Sequence, residues 1–444
     1  MKTQTNAMGN IYKERIKGAY FPLYPLNPYN HNPKRELKDF HYFSSLFSRD
    51  RPTREPSALY IHVPFCESFC PFCGIPKIIK KENLVQKYIQ ALKKEIIMYA
   101  ESNYIRSSEF DALYFGGGTP TILTSEQLTD LLSYCREKFS FNKKSEITVE
   151  GCTHNFDGEK LETILQHGAN RVSFGVQTFK DTIRVLLNFK DDAEKALRTV
   201  KTAYDVGYSN VDIDLMYNLP EQTVEDVERD IQTAIDIGLE NISFYPLHVE
   251  PATKLEKQIK SGELHIGNKD REVAMHLNAV TMLEDAGYVQ QSIISKFTLP
   301  NRECVYERLR VGSYDCLALG PSGNGNLGNY VYTNTSSTVS YIDMIERGRY
   351  PIAEGVKLSA NDEMRRYMAK ELALCKVDKK EFRHRFGVWP EHAFSQIIEK
   401  LSGSGLITVD DEQVKLTPMG RLWGQNVCVD FCSKEWRENL MMGN

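Results

Sequence analysis

Three cysteines lie close together within the segment His62-Val-Pro-Phe-Cys-Glu-Ser-Phe-Cys-Pro-Phe-Cys-Gly74. Cys66, Cys70 and Cys73 follow the spacing C-x3-C-x2-C, which allows three thiolates to bind three irons of a [4Fe–4S] cube. Because no fourth cysteine lies nearby, one iron would keep an open position at which a ligand can bind and react. The three cysteines are therefore the predicted metal ligands and the centre of the predicted catalytic site.

A structural zinc site is the alternative interpretation of this segment, with His62 as the fourth ligand. Zinc sites usually pair two-ligand motifs across a longer loop, and no second motif stands at a suitable spacing. The spacing therefore favours the iron–sulfur cluster. The remaining cysteines form no second ligand pattern; they are Cys135, Cys152, Cys304, Cys316, Cys375, Cys428 and Cys432.

The composition limits the classes of protein to which the chain can belong. Its 444 residues predict a large catalytic domain with additional segments rather than one ordinary core. The net charge of −4 gives no reason to expect nucleic-acid binding. No apolar run approaches the roughly eighteen residues of a membrane-spanning helix, and the first residues lack the apolar core of a signal peptide. The ten cysteines, three of them clustered, suit a reducing compartment, so a cytoplasmic protein is predicted.

Short apolar segments alternate with helical patterns between residues 58 and 250. The predicted strands, rich in Val, Ile, Tyr and Phe, span 58–63, 112–115, 146–150, 171–176, 211–216 and 242–246. Helices are predicted between them over 84–100, 126–138, 159–167 and 224–237, with Thr124 and Thr223 in helix N-cap regions. Strands separated by helices pair in parallel through right-handed crossovers. Six such units predict an α/β fold, a partial (β/α)6 barrel over residues 58–250.

Three further segments complete the predicted organisation. Residues 1–57 form an N-terminal extension, whose proline-rich and aromatic part at 20–29 is predicted to lie across the barrel. Residues 251–355 are predicted to complete the barrel. In residues 356–444, helices are predicted over 362–374 and 393–401, followed by a strand pair at 406–409 and 414–416. Helices followed by a small β-wing indicate a winged-helix-like C-terminal domain, which serves either packing or substrate covering.

The cysteine segment begins a series of motifs that resembles the radical S-adenosylmethionine (SAM) superfamily, in its branch around oxygen-independent coproporphyrinogen III dehydrogenase. The motifs are Tyr60-Ile-His-Val-Pro-Phe-Cys66, Tyr114-Phe-Gly-Gly-Gly-Thr-Pro120, Phe174-Gly-Val-Gln-Thr-Phe179 and Asp214-Leu-Met-Tyr-Asn-Leu-Pro220. The resemblance implies a radical SAM enzyme with a [4Fe–4S] cluster and SAM as cofactors. It also implies the partial barrel that the alternation predicts, with catalytic groups at the C-terminal ends of the strands.

The resemblance implies roles for two groups at strand ends. The backbone of the glycine-rich turn would meet the amino group of SAM; its residues are Gly116, Gly117, Gly118 and Thr119. Glu150 would bind SAM through its carboxylate. Taken from the residues alone, a tight βα turn and a solvated strand end remain the alternative interpretations.

Four further residues are carried over from the same family pattern. Gln177 and Asp214 would contact the methionine and ribose portions of SAM. Phe72, between the second and third cysteines, would stack near the adenine, although core packing explains it equally well. Tyr60, just before the cysteine segment, is a further candidate for cofactor binding.

A second glycine-rich segment, Gly320-Pro-Ser-Gly-Asn-Gly-Asn-Leu-Gly328, follows an apolar run. Alone, such a segment is most often a flexible turn. In the resembled branch the equivalent segment lines a second SAM site, used in methyl transfer or as a spare. Gly320 and Gly323 are therefore predicted to bind a second SAM, which makes 251–355 the second-SAM and substrate segment.

Two positions depart from the coproporphyrinogen enzyme. That enzyme has a further cysteine two positions after the third cluster ligand, where this sequence has Ile75. The change weakens the case for the decarboxylating dehydrogenase. The family also has an arginine that contacts the SAM carboxylate, where this sequence has Phe189. Arg184 lies nearby but out of register.

Other segments look most similar to the anaerobic haem-degrading methyltransferases, the anaerobilin synthases; they are Glu150-Gly, Asn155-Phe-Asp, Gly168-Ala-Asn-Arg171 and Asp315-Cys-Leu-Ala. The sequence thus predicts a HemN-like class C radical SAM methyltransferase that acts on a planar unsaturated acceptor. Haem is the first candidate, with ring opening and iron release, and flavodoxin or ferredoxin would supply electrons. The alternatives are methylation of a quinone or natural-product precursor, coproporphyrinogen dehydrogenation, and haem binding without turnover.

Overall fold

The computed structural model describes residues 12, 15–16, 24–26, 40–52, 54–251, 253–294 and 296–442. Most of the N-terminal extension, including most of segment 20–29, lies outside these residues. Residues 24–26 contact the C-terminal region. The Tyr24 hydroxyl donates a hydrogen bond to Asp362 (2.8 Å), and the Trp436 indole donates one to the Leu26 carbonyl (3.0 Å).

The strands of the described part are numbered in chain order. They are β1 (Ser57–Val63), β2 (Phe65–Cys66), β3 (Ile78–Ile79), β4 (Phe110–Gly117), β5 (Phe141–Cys152), β6 (Arg171–Gln177), β7 (Val211–Tyr217), β8 (Asn241–Pro246), β9 (Val289–Gln290), β10 (Lys296–Thr298), β11 (Asp315–Leu319), β12 (Asn324–Leu327), β13 (Tyr330–Asn334), β14 (Ile352–Lys357), β15 (Lys376–Asp378), β16 (Ile407–Val409) and β17 (Gln413–Leu416).

The α-helices of the same part are numbered likewise. They are α1 (Phe40–Leu46), α2 (Glu82–Ala100), α3 (Asn103–Arg106), α4 (Ser125–Lys138), α5 (Gly158–Gln166), α6 (Asp181–Leu186), α7 (Ala193–Asp205), α8 (Val224–Ile237), α9 (Lys254–Lys260), α10 (Lys269–Asp285), α11 (Val305–Val311), α12 (Thr338–Glu346), α13 (Ala360–Ala373), α14 (Lys379–Phe386), α15 (Pro390–Ala393), α16 (Ser395–Gly403), α17 (Pro418–Leu422), α18 (Gly424–Asp430) and α19 (Lys434–Met442).

Twelve strands form one sheet, in the order β14-β13-β12-β11-β1-β4-β5-β6-β7-β8-β10-β9. Neighbouring strands are parallel from β11 to β8, and both flanks pair antiparallel. The edges of the sheet are β14 and β9, so the barrel is partial, as predicted. The carboxyl ends of the parallel strands meet at one rim, where a barrel carries its catalytic groups.

All six predicted strands are present, as β1 and β4 to β8. They are buried almost without interruption, because helices cover one face and the barrel interior covers the other. A seventh parallel strand, β11, pairs with β1 and continues into the antiparallel strands β12, β13 and β14. The sequence analysis treated β11 only as an apolar run before the second glycine segment.

The predicted barrel helices are also present, as α2, α4, α5 and α8. The Thr124 hydroxyl accepts a hydrogen bond from the Gln127 backbone N–H, and the Gln127 side chain accepts one from the Thr124 backbone N–H, so a complete capping box starts α4. Thr223 and Asp226 form the same arrangement at α8. Both predicted N-caps are therefore confirmed. None of the described helices is long and apolar enough to cross a membrane.

The C-terminal region is mainly helical and carries a small sheet in the order β15-β17-β16. The predicted strand pair is confirmed as β16 and β17, and β15 is an additional strand. The helix predicted over 393–401 is present as α16, although it begins at Ser395 and follows a separate short helix, α15. Two helices, α15 and α16, meet at Phe394, whose backbone leaves the helical region (φ −132°, ψ 36°). This bend places the Phe394 ring in the core, 5.4 Å from the ring of Phe431.

Candidate active site

The cysteine segment forms a loop at the C-terminal end of β1. Its two ends are held by β2 and β3, which pair in parallel, with Cys66 opposite Ile79. Cys66 is buried, whereas Cys70 and Cys73 are partly exposed. Burial raises the pKa of the Cys66 thiol and that of Cys70, the latter to about 11, and the neighbouring Cys73 raises both further. The three sulfurs therefore converge on one region, as cluster ligands must.

Within the described residues, no three His, Cys, Asp or Glu side chains are gathered closely enough to hold a single metal ion. A zinc ion draws its sulfur ligands to about 2.3 Å from the metal, which demands such close packing. A four-iron cube presents separate corner irons, so its three sulfurs stand further apart. The three thiols at the spacing C-x3-C-x2-C are the donor set that a [4Fe–4S] cube takes.

His62 does not behave as a fourth ligand. Its Nδ1 lies 3.0 Å from the Tyr60 hydroxyl, and its Nε2 lies 3.3 Å from the Pro76 carbonyl. Burial lowers the pKa of the imidazole to about 4, so the ring is neutral at physiological pH. Both ring nitrogens are engaged within the protein, which makes His62 a support for the far end of the cysteine loop.

The glycine triplet brings the end of β4 against the cysteine loop. The Gly118 and Thr119 backbone N–H groups donate to the carbonyls of Val63 and Phe65, both at 2.8 Å. A Cβ at Gly118 would lie 2.6 Å from the Phe65 carbonyl oxygen and 3.0 Å from the Cys66 sulfur. Only glycine allows this approach. The structure therefore gives the triplet a packing reason, and backbone contact with SAM stays a prediction.

Thr119 contacts both the cysteine loop and the end of β5. Its hydroxyl lies 3.4 Å from the Cys66 sulfur and 3.8 Å from the sulfur of Cys152, at the end of β5. The sequence placed Cys152 outside every ligand pattern, yet the fold brings it beside the loop. No sequence motif could have indicated this, because the contact crosses between strands.

Glu150 on β5 and Asp214 on β7 are two carboxyl groups near the barrel rim, on strands separated by β6. The Tyr114 hydroxyl donates a hydrogen bond to Glu150 Oε2 (3.0 Å). Burial, and then the charge of Asp214, raise the pKa of Glu150 to about 8. Burial and the charge of Asp212 raise the pKa of Asp214 to about 6. A cationic group placed beside these two carboxyls would favour their charged forms, and the contact of Glu150 and Asp214 with SAM stays a prediction.

Gln177 has an unusual backbone at the end of β6. Its φ of +65° lies in the left-handed region, and the pairing of β6 with β7 shifts register between Gly175 and Gln177. The Tyr245 hydroxyl donates a hydrogen bond to Gln177 Oε1 (3.0 Å). Such a strained residue beside a bulge is typical of a functional site. Its contact with the methionine portion of SAM remains a prediction.

Phe72 and Phe189 pack in one apolar cluster beneath the rim, with Tyr245 among their neighbours. Arg184 lies 4.9 Å from the centre of the Phe189 ring, but its guanidinium donates to the carbonyls of Val176 and Thr178 and pairs with Asp191. Because these donors are used, Arg184 does not replace the arginine that the family has at position 189. Phe72 is placed for packing, and its adenine contact stays a prediction.

A cavity of about 760 Å³ opens beside the cysteine loop. This volume lies within the range of about 300–1,000 Å³ that is usual for small-molecule sites. The cavity touches the loop at Gly74 to Pro76 and the rim at Gly117 and Glu150, and Tyr60 and Tyr306 form an aromatic wall. The rings of Tyr60 and Tyr306 lie nearly parallel, 6.1 Å apart.

The second glycine segment forms the opposite wall, through residues other than the predicted glycines. A Cβ at Gly320 would lie 2.5 Å from the His62 carbonyl oxygen, and one at Gly323 would lie 3.1 Å from the Gly320 carbonyl oxygen. Both glycines thus face backbone. Ser322 and Asn324 line the cavity instead. The glycines shape the turn, and a second SAM beside it stays a prediction.

A buried ionic network lies inside the barrel, which the sequence analysis missed. Asp212 on β7 pairs with Arg171 (2.9 Å) and with Lys296 from β10, and Ser173 and Ser243 also donate hydrogen bonds to it. One signal was available, because Asp212 and Asp214 share one face of a strand by their spacing. Lys296 comes from an antiparallel flank and carries no such signal.

The chain matches two known domain families. Residues 60–234 match the radical SAM superfamily, and residues 358–423 match the HemN C-terminal domain. The solved structure of coproporphyrinogen III oxidase (HemN) from Escherichia coli superposes with a TM-score of 0.78, at 25% identity, over 89% of this chain and 94% of that one. The chain belongs to the HemN-like branch of the radical SAM superfamily, which confirms the predicted family and fold class. Its cofactors are accordingly a [4Fe–4S] cluster and SAM.

Relatives with different activities are similar to nearly equal degrees. The heme chaperone HemW of Bacillus subtilis is 29% identical, over 83% of this chain and 97% of the relative. The oxygen-independent coproporphyrinogen III oxidase of Salmonella typhimurium is 27% identical, over 95% and 94%. The anaerobilin synthase of Escherichia coli O157:H7 is 28% identical, over 83% and 82%. Overall sequence similarity therefore identifies the branch of the superfamily but does not distinguish between the activities of these relatives, so the reaction has to be inferred from the site.

Proposed function

We propose that this protein is a radical SAM methyltransferase that acts on a tetrapyrrole, with haem as the substrate, and opens the ring with release of iron. One observation carries the proposal: a single cavity joins the cysteine loop, the acidic rim at Glu150 and the aromatic wall of Tyr60 and Tyr306. A cofactor at the rim and a planar acceptor on the wall would therefore face each other without a barrier.

The cluster and SAM, when bound, supply the one-electron cleavage that starts radical chemistry in this superfamily. The chain's own residues bind and orient. The three cysteines would hold the cluster, and Glu150 with Asp214 would hold the cationic portion of SAM. Tyr60 and Tyr306 present parallel ring faces, which favour a flat aromatic acceptor by offset stacking.

The identity of residue 75 argues against decarboxylation of coproporphyrinogen. Ile75 lines the cavity and is 46% exposed, at the position where the coproporphyrinogen enzyme carries a cysteine. An isoleucine side chain has no thiol, so it cannot perform the proton or hydrogen-atom transfer that a cysteine at this position could perform. The names of two relatives, heme chaperone and coproporphyrinogen III oxidase, both include a tetrapyrrole, which supports that substrate class over a quinone.

Haem binding without turnover is the second candidate, and one observation favours it. Phe189 stands where the family has an arginine, and Arg184 is occupied by Asp191 and two carbonyls. A SAM carboxylate without a cationic partner would bind more weakly, by roughly ten- to a hundredfold for a lost charge-assisted bond. A protein that keeps the cavity but binds SAM poorly would retain haem and leave it intact.

One anaerobic experiment separates the candidates. The reconstituted protein is mixed with SAM, haem and a reductant, either dithionite or reduced flavodoxin, and followed by absorbance and product mass. The methyltransferase should give an open, methylated tetrapyrrole, free iron, 5′-deoxyadenosine and S-adenosylhomocysteine. Bound haem with an unchanged mass would select the chaperone-like function. Methylation of a quinone with haem untouched, or decarboxylation of coproporphyrinogen, would refute the proposal.

A further inference from the structure

The cavity is lined by charged side chains of both signs. Glu150 marks an acidic end beside the cysteine loop, and the carboxylates of Glu250 and Glu354 also line the cavity. Arg310, on α11, is the one cation among the described residues that line the cavity. Burial and the charge of Glu150 raise the pKa of Tyr60, and the charge of Arg310 lowers it, so both charges lie within electrostatic range of Tyr60. Within the described part of the chain, Arg310 forms no ion pair, and its side chain is partly exposed to the cavity.

Two further basic side chains, on α13, lie within electrostatic range of Arg310. Arg366 and Lys370 share one face of α13, four residues apart, and both are buried. Arg366 donates a hydrogen bond to the Tyr24 carbonyl (2.8 Å). Lys370 is 0% exposed, and its ammonium has no hydrogen-bond partner among the described residues. Burial, and then the charges of Arg366 and Arg310, lower the pKa of Lys370 well below its usual value.

Glu371 and Glu307 act on Lys370 and Arg310 through their charges, but neither forms an ion pair with them among the described residues. The Glu371 carboxylate accepts a hydrogen bond from the Ser313 backbone (2.9 Å), and Glu307 accepts one from the Ser292 hydroxyl (2.6 Å). Burying a cation without a paired anion is costly. Loss of a polar partner therefore destabilises a buried charged group more than it destabilises an exposed one. An anion bound at the Arg310 guanidinium would favour the charged form of Lys370, which burial and the charges of Arg366 and Arg310 oppose.

We propose that Arg310, backed by Lys370, binds a carboxylate of the substrate, so that the acceptor is a planar ring with an acidic side chain. A guanidinium presents paired donors that match a carboxylate in two parallel bonds. The adjacent wall of Tyr306 and Tyr60 would hold the ring, and the acidic end would hold the cationic cofactor. This inference rests on the proposed function and narrows it to tetrapyrroles with free propionates, which excludes neutral quinones.

The test compares haem with haem dimethyl ester, in which both carboxylates are blocked. Binding to the full-length protein is followed by absorbance titration, for the wild type, Arg310→Gln and the matched control Arg308→Gln. Arg308 lies on the same helix, over the Tyr314 ring (5.8 Å), and does not line the cavity. We expect the wild type to prefer haem over the ester by about tenfold or more, and Arg310→Gln to lose that preference. Arg308→Gln should retain it.

The results that overturn the inference are distinct from those that overturn the proposed function. If haem is bound and turned over, but the preference for haem over its ester is the same in Arg310→Gln, only the carboxylate contact is wrong. If SAM affinity falls in Arg310→Gln while haem affinity does not, the anion is the SAM carboxylate and the inference fails. If the wild type does not bind haem at all, both proposals fail.

Lys370→Met gives a second, independent measurement. Methionine has a similar shape and no charge, so it should raise the melting temperature of the ligand-free protein by relieving a buried, unsatisfied ammonium. The same variant should weaken haem binding more than ester binding. A purely structural lysine would show the opposite pattern, a lower melting temperature with an unchanged preference, and that result would refute the role of Lys370.

Discussion

Replacing Glu150 by glutamine tests the electrostatics of the rim most directly. The buried carboxyl has a pKa raised from its ordinary 4.5 to about 8, because burial and Asp214 both oppose its ionisation. Between these values the unfolded chain releases the proton and the native protein keeps it. The native state then binds more protons, so the free energy of unfolding falls as the pH rises through this window.

The magnitude follows from the displacement of the pKa. At about 1.4 kcal/mol for each pH unit, the change from 4.5 to about 8 corresponds to about 5 kcal/mol. Because the carboxyl faces a cavity that solvent can enter, screening reduces this to roughly 2–4 kcal/mol. Glutamine resembles the protonated acid and never ionises. Glu150→Gln should therefore match the wild type near pH 5 and be more stable by roughly 2–4 kcal/mol near pH 9.

The assay is urea unfolding of the metal-free protein at pH 5, 7 and 9, followed by tryptophan fluorescence. Glu162→Gln, which removes an exposed carboxylate on α5, is the matched control and should show no such pH dependence. The same linkage predicts that SAM binds the reconstituted wild type more tightly as the pH rises toward 8, and that Glu150→Gln binds it about ten- to a hundredfold more weakly. An equal stability difference between Glu150→Gln and the wild type at pH 5 and pH 9 would refute the reasoning.

The remaining predictions concern the cluster, the barrel interior and the reaction. Cys73→Ala should lose the cube in anaerobic iron counting, whereas Cys152→Ala should keep about four irons per chain; four irons in both would sink the ligand assignment. Asp214→Asn should weaken SAM binding without unfolding the barrel, and unchanged affinity would show that the carry-over of this residue is wrong. Asp212→Asn should lower the free energy of unfolding by about 3–5 kcal/mol, because it leaves Arg171 and Lys296 without their shared carboxylate; a near-neutral change in urea unfolding would contradict that. SAM with a deuterated methyl group should label both 5′-deoxyadenosine and the methylated product, and deoxyadenosine formed without S-adenosylhomocysteine would exclude methyl transfer.

The sequence determined the features that depend on local spacing. Cys66, Cys70 and Cys73 indicate a cluster because their ligand geometry is set by a few residues of loop. The six barrel strands follow from apolar runs that alternate with amphipathic helices, and the caps at Thr124 and Thr223 follow from side chains that bond their own backbone. These signals are short-range, so neighbouring residues carry them completely. The helix predicted over 393–401 is present from Ser395 onward, but the break at Phe394, whose ring is buried in the core, is not visible in the local pattern.

Only the tertiary structure decided which of these residues act together. Burial in the barrel, and then the charge of Asp214 two strands away, raise the pKa of Glu150, and Lys296 reaches Asp212 from an antiparallel flank. Burial, and then the charges of Arg366 and Arg310, lower the pKa of Lys370, although Arg310 and Lys370 lie sixty residues apart on different helices. In a parallel barrel each strand returns to the same rim after a helix, so residues distant in the chain become neighbours in a medium of low dielectric. Their charges interact strongly there because water is excluded, and spacing in the sequence contains no information about that distance.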